Sequence, residues 1–113
     1  MAVKYRVIYT EEAEQDLINI YSYISLDLKV PVIARKQADR IMDFIKGLEK
    51  MPLRHKLYRE EPWHSRGLRV CPVDNYLIFY LVDEKEQTVA IIRIMYGKRN
   101  IELQLANEDN PAT

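Results

Sequence analysis

The chain has 113 residues, with 48% apolar and 30% charged side chains, one cysteine, and 17 basic against 17 acidic residues. This length fits one domain, and Cys71 has no second cysteine with which to form an internal disulfide. One cysteine and two histidines also fall short of the usual four-ligand zinc cage. We therefore expect a single cytoplasmic domain without a metal or cofactor.

Hydropathy and charge argue against a membrane-spanning, a secreted or a non-specific nucleic-acid-binding protein. The longest apolar run covers residues 76–82, far short of the ~20 residues that a membrane-spanning helix needs. Lys4 and Arg6 interrupt residues 1–9, so we expect no signal peptide there. Neutral net charge disfavours non-specific nucleic-acid binding, which depends on phosphate contacts. Within residues 54–69, however, five basic residues stand against two acidic ones. This surplus of three could form a local basic face or could consist of scattered, solvated surface charge.

The N-terminal half is typical of a strand followed by two helices. Residues 4–9 are β-branched and aromatic, as in a strand. Thr10 offers a hydroxyl cap, and Glu11 and Glu12 place negative charge in the first helical turn. Apolar residues recur at helical spacing over 13–28 and over 34–48, with Pro31 suited to the first turn of the second helix. Two amphipathic helices with such a short connection predict an antiparallel hairpin.

The C-terminal half is typical of a loop followed by strands. Residues 51–64 contain Pro52 and Pro62 and lose the helical period, which predicts a loop with at most one short turn of helix. Strand-like runs cover 68–73, 76–82 and 88–96, and Asp74-Asn75 is a two-residue turn of the kind that hairpins use. Residues 101–105 favour a short strand or turn. We expect one domain over 1–106 and a frayed tail over 107–113.

These elements predict an α+β fold. Each helix has one apolar stripe, so both should cover the same face of a sheet. The N-terminal strand should join the C-terminal three-stranded meander, because a lone strand would leave its backbone groups unpaired. The prediction is an antiparallel helical hairpin packed on one face of a mostly antiparallel sheet.

Three stretches of sequence resemble the RelE/ParE superfamily of toxins from type II toxin–antitoxin modules, across residues 4–105. They are Tyr5-Arg6-Val7-Ile8-Tyr9-Thr10 with the helix that follows, Gly67-Leu68-Arg69-Val70 with Asn75-Tyr76-Leu77-Ile78-Phe79-Tyr80, and Ile91-Ile92-Arg93-Ile94-Met95-Tyr96-Gly97-Lys98-Arg99. The resemblance implies a RelE/ParE-like fold and a cognate antitoxin as partner, in a heterotetramer or larger complex. It leaves two activities open: messenger RNA cleavage in the ribosome, as in RelE-like members, or gyrase poisoning, as in ParE-like members.

Two positions favour the ParE-like activity. In an alignment with the ribosomal RelE-like toxins, Leu77 falls where a catalytic arginine is usual and Leu105 where a tyrosine is usual, and only Arg99 matches. Apolar side chains cannot stabilise the charge that develops during RNA cleavage. We therefore expect a non-catalytic inhibitor that binds a protein target such as DNA gyrase. The alternative is a ribosome-dependent mRNA endoribonuclease.

The residues expected to bind the target or the antitoxin are Arg69, Arg93, Tyr96, Lys98, Arg99 and Trp63. Arg69 and Arg93 suit a cationic patch for a carboxylate, or else ion pairs with Glu12, Asp16 or a turn acid that fix the helix on the sheet. Trp63 suits either a lid on the core or a partner contact. The nuclease alternative would use Arg69, Arg93 and Arg99, with His64 or Glu61 as the base.

Overall fold

A computed structural model describes residues 4–26 and 32–97, without the side chains of 23–26 and 33. The described elements are β1 (Arg6–Tyr9), α1 (Glu11–Leu26), α2 (Val32–Gly47), a 3₁₀ turn (Pro52–Arg54), β2 (Arg69–Val73), β3 (Tyr76–Asp83) and β4 (Thr88–Tyr96). Thr10 caps α1 as predicted, since its hydroxyl oxygen accepts the N–H of Ala13 at 3.0 Å. The expected end of the first helix at 28, the short element over 101–105 and the tail over 107–113 lie outside the described residues.

The strands form one mixed sheet in the order β1-β4-β3-β2. β2, β3 and β4 are the predicted antiparallel meander. Asp74 in the β2–β3 turn has a φ of 53°, a left-handed conformation that aspartate tolerates in such turns. β1 joins this meander by pairing in parallel with β4, and the helices between the two strands supply part of the long connection that parallel pairing needs.

Both helices pack on the same face of the sheet, which confirms the predicted α+β arrangement. Side chains from α1, α2 and alternate positions of the strands form the main core: Ala13, Ile41, Ile45, Leu48, Ile78, Tyr80, Val89, Ile91 and Ile94. A second cluster of Leu68, Phe79 and Met95 lies on the opposite face. There the segment 56–67 covers the β2–β3 half of the sheet, with Tyr58 and Trp63 packed against that cluster. The fold therefore has a partial third layer that the sequence did not predict.

β4 continues beyond the end of β1, and α1 takes the place of the missing strand. The Asp16 side chain accepts the N–H of Ile94 at 2.9 Å, a donor that a longer β1 would otherwise satisfy. The Thr10 hydroxyl donates to the carbonyl of Ile92 at 2.8 Å. These two side chains fix the start of α1 against the edge of β4.

Among the described helices, none is long and apolar enough to cross a membrane.

Candidate functional site

The candidate site is a hollow of about 230 Å³ at the end of the sheet where the β2–β3 turn meets the end of β4. It is lined by Asp74, Asn75, Tyr76, Leu77, Tyr96 and Gly97. The N–H of Gly97 donates to the carbonyl of Asn75 at 2.8 Å, and a Cβ at position 97 would lie 3.3 Å from that oxygen. Glycine thus permits a close approach of the two backbones that closes one end of the hollow.

The side chains around the hollow are mostly aromatic and apolar. The rings of Tyr76 and Tyr96 meet edge to face with their centroids 5.7 Å apart, and Tyr96 is 38% exposed. Leu77 is half-buried beside Gly97. The carboxylate of Asp74 is engaged with Arg40, 2.7 Å from its Nε. The described part of the hollow therefore offers an apolar contact surface. Lys98, Arg99 and Leu105, which the sequence also assigned to this region, lie outside the described residues.

Arg93 is held by α1. Its Nε and one terminal nitrogen donate to the two carboxylate oxygens of Asp16 at 2.8 and 3.1 Å. The two side chains are only 16% and 13% exposed. This bidentate geometry is the strong form of an arginine–carboxylate pair, and it corresponds to the ion-pair alternative considered for Arg93.

Arg69 is held by the loop that precedes it. Its Nη1 donates to the carbonyl of His55 at 2.6 Å and to that of Leu53 at 3.3 Å. In the strand register Arg69 lies opposite Tyr80, whereas Arg93 lies opposite the adjacent residue, Phe79. Because adjacent side chains of a strand point to opposite faces, the two arginines lie on opposite faces of the sheet. They do not form the single cationic patch that was one interpretation of the sequence.

The remaining nuclease candidates lie in the segment that covers the second face. Both carboxylate oxygens of Glu61 bind Ser65, at 2.8 Å to its N–H and 2.6 Å to its hydroxyl. These hydrogen bonds, helped by the nearby His64, lower the pKa of Glu61, whereas a general base near neutrality needs a raised one. The Nδ1 of His64 lies 3.0 Å from the carbonyl of Tyr58.

Trp63 is half-buried on the second-face cluster, with the guanidinium of Arg66 5.4 Å from its ring centroid. This is the lid position that was one of its two interpretations. Its remaining exposed surface lies on the same segment as the basic residues of 54–69.

His55 belongs to an aromatic cluster that the sequence did not reveal. Its ring lies 4.9 Å from that of Phe44 and 6.4 Å from that of Tyr80, between ring centroids. Burial, followed by Arg54 and Arg69, lowers the pKa of His55. The buried hydroxyl of Tyr80 donates to the carbonyl of Pro52 at 2.8 Å, and burial raises the pKa of Tyr80 to about 12. These residues come from four separate elements, so only the folded chain brings them together.

A second hollow, of about 380 Å³, follows the outer edge of β1 beside α2. We call it the β1–α2 groove; it is lined by Val7, Tyr9, Met42, Asp43, Ile45, Lys46 and Glu49. The N–H groups of Arg6 and Thr10 point to β4, so alternation directs those of Val7 and Tyr9 outward. In the described structure no strand covers this edge.

The part of the chain that the structure describes contains no cluster of His, Cys, Asp and Glu able to hold a metal ion.

Comparisons with known proteins bear on this architecture. The family model of the ParE toxin of the type II toxin–antitoxin system parDE matches residues 7–101. No protein with curated annotation matches the sequence significantly. Among solved structures, the toxin–antitoxin complex RelBE2 from Mycobacterium tuberculosis is 26% identical with a TM-score of 0.60, covering 83% of this chain and 99% of that one.

Two other solved structures share the fold at lower identity. The chromosomal ParDE system from P. aeruginosa is 21% identical with a TM-score of 0.61, over 84% of this chain and 98% of that one. The archaeal RelE–RelB complex from Pyrococcus horikoshii is 16% identical with a TM-score of 0.57, over 86% and 99% respectively. Because the family model matches most of its length, the chain belongs to the ParE toxin family of type II toxin–antitoxin systems.

Proposed function

We propose that this toxin inhibits growth by binding a cytoplasmic protein target, such as DNA gyrase, and that it does not cut RNA. The observation that carries the proposal is the separation of the ionisable groups that a nuclease would need. RNA cleavage requires a base, an acid and cations converging on one phosphate. Arg69 and Arg93 instead lie on opposite sheet faces, and His64 and Glu61 are bound within the covering segment.

The engagement of each arginine supports the same conclusion. Arg93 would have to leave two hydrogen bonds to Asp16 before it could contact a phosphate. That exchange would leave a carboxylate uncompensated at a largely buried position, which is costly. Arg69 would have to release two loop carbonyls. Both guanidiniums are therefore engaged in holding elements of the fold together.

The proposed target surface is the end of the sheet. Leu77 and the exposed ring of Tyr96 offer apolar and aromatic area there, which suits the centre of a protein interface. Lys98 and Arg99, the two basic residues that directly follow Gly97 in sequence, are the proposed source of positive charge for this surface. Trp63 contributes its exposed surface from the covering segment.

Gyrase assays with purified full-length toxin test this assignment. The toxin should inhibit supercoiling and accumulate DNA cleavage complexes, and Tyr96→Ala should weaken inhibition by about tenfold or more, as expected for an exposed aromatic anchor. Tyr21→Ala is the matched control, because Tyr21 is also 38% exposed but lies on α1. Normal gyrase activity in the presence of a toxin that still arrests growth would exclude gyrase. Ribosome-dependent mRNA cleavage in the same samples would favour the endoribonuclease alternative.

We further propose that a cognate antitoxin docks along the β1–α2 groove. The solved structure of RelBE2, to which this chain is 26% identical, is a toxin–antitoxin complex. The groove has an apolar floor that includes Met42 and Ile45 and a strand edge with outward N–H groups, which suits an extended segment that adds a strand. Such a complex allows a heterotetramer or a larger assembly.

Pull-down with the product of the neighbouring small reading frame tests this surface. Val7→Pro removes one outward donor while leaving the N–H groups that bind β4 in place, so binding should weaken sharply. Val7→Ala keeps the donor and serves as the control. Equal antitoxin binding by both variants and by Met42→Glu would place the antitoxin elsewhere.

A further inference from the structure

We propose that a second copy of this chain packs on the open half of the sheet face opposite the helices, around a two-fold axis that runs along β4. The pairing is independent of the toxin's target. It would make the toxin a symmetric dimer, with the end-of-sheet hollow and the β1–α2 groove of each copy outside the contact.

The open half of this face is the part that the segment 56–67 leaves uncovered. Val7 and Val89 pack in the core beneath the helices, so their neighbours in sequence point to the other face. There, Ile8 is 43% exposed, and Ala90 and Leu81 are half-buried. Ile8 is an exposed large apolar residue on an edge strand, where a charged side chain would be the usual protection against association.

The strand register arranges six side chains of this face in two rows. Ile8 lies beside Ala90, and Ala90 lies beside Leu81, which makes an apolar row. Two residues further along each strand, the second row is polar and consists of Arg6, Thr88 and Asp83 in that order across β1, β4 and β3. The polar row therefore has a positive end, a neutral centre and a negative end.

A two-fold axis along β4 makes these rows complementary to themselves. Rotation about that axis brings β1 of one copy over β3 of the other at the same height. Arg6 then faces Asp83 of the other copy, Ile8 faces its Leu81, and Thr88 and Ala90 face their own equivalents. Each contact occurs twice, so the dimer gains two charge pairs and two large apolar pairs from one small patch.

Charge complementarity favours a second copy of the chain over another occupant. Arg6 is exposed and has no ion pair in the described structure, and its own Asp83 lies two strands away, about 10 Å at backbone spacing. One carboxylate oxygen of Asp83 accepts the N–H of Glu86, which orients the group and leaves the second oxygen for Arg6. The chain has no net charge, so two copies do not repel each other as a whole.

Sedimentation velocity of the full-length toxin over a range of concentrations tests the proposal. The unchanged chain should dimerise. Arg6→Glu should raise the dimer dissociation constant about 100-fold, because it places like charges opposite each other twice. Asp83→Arg should act similarly. The double variant with both substitutions should recover dimerisation, since it exchanges the two ends of the polar row. Lys36→Glu, an equal charge change at an exposed position of α2, should leave the dimer intact.

A second measurement does not depend on charge. In a Cys71→Ser background, Ala90→Cys places one thiol next to the axis, and a bis-maleimide that spans about 10 Å, the usual separation of packed sheets, should link two copies. Cys71→Ser with Lys36→Cys should not be linked. A monomer at all concentrations, or single charge variants that still dimerise, would overturn the proposal. If the unchanged chain stays monomeric and Ile8→Asp abolishes antitoxin binding, this face binds the antitoxin instead.

Discussion

The pair of Asp16 and Arg93 gives the sharpest prediction about stability. Asp16→Ala would remove the carboxylate that binds a guanidinium that is 16% exposed, together with the acceptor of the Ile94 N–H. Breaking a buried ion pair from one side costs about 3–5 kcal/mol. Asp16→Asn keeps an acceptor oxygen for Ile94 and loses only the charge, so its cost should be about 2–3 kcal/mol.

Urea unfolding monitored by circular dichroism measures these differences directly, provided that the transition stays two-state. For a domain of this size each kcal/mol corresponds to roughly 4 °C in melting temperature, so Asp16→Ala should melt about 12–20 °C lower than the unchanged chain. The double variant Asp16→Asn/Arg93→Met removes both charges and retains the acceptor for Ile94. It should be within about 1 kcal/mol of the unchanged chain, because a buried pair replaced from both sides is often neutral.

Growth arrest by the double variant distinguishes a purely structural role of Arg93 from a direct contact with the target. If Arg93 only fixes α1 on the sheet, growth arrest by the folded double variant should equal that of the unchanged toxin. A loss below about 1 kcal/mol in Asp16→Ala would refute the energetic reasoning, since it would make the pair equivalent to an exposed one. A stable double variant that no longer arrests growth would show that Arg93 contacts the target.

Two further predictions concern pH and the cluster around Tyr80. The pKa of Tyr80 is raised to about 12, above its unfolded value of about 10. The neutral phenol should therefore contribute fully to the free energy of unfolding below pH 10, and this contribution should be lost as pH rises toward 12. Tyr80→Phe should flatten that decline in the free energy of unfolding. It should also cost about 1–2 kcal/mol at neutral pH, because the Pro52 carbonyl loses its donor. An unaltered dependence of stability on alkaline pH would contradict this. His55 has a lowered pKa, so the unfolded chain takes up its proton first, and stability should fall as pH drops through about 6.5. His55→Phe should reduce that slope in urea titrations between pH 5 and pH 8, and an unchanged slope would assign it to other groups.

Local sequence patterns predicted most of the secondary structure. The turn at Asp74 and Asn75 needs only short-range chemistry, because aspartate tolerates the left-handed conformation. The cap at Thr10 is equally local. The single apolar stripe of each helix was enough to predict that both would share one sheet face.

Long-range contacts were harder to predict. The sequence suggested Asp16 as one of several partners for Arg93, but it gave no sign that β4 would extend beyond β1 and need an acceptor for Ile94. The opposite faces of Arg69 and Arg93 follow from the strand register and the irregularity beside Phe79, which residue spacing does not encode. The cover that Trp63 and its segment give the second face depends on the folded path of a loop without periodic pattern.

Primer extension on messenger RNA in a reconstituted translation reaction distinguishes an inhibitor that binds a protein from a ribosome-dependent nuclease. With purified toxin and active ribosomes, we expect no new cleavage ends in the message at toxin concentrations that inhibit gyrase. Toxin-dependent ends at the ribosomal A-site that disappear with Arg99→Ala would contradict it, and would mean that the catalytic groups converge only on the ribosome.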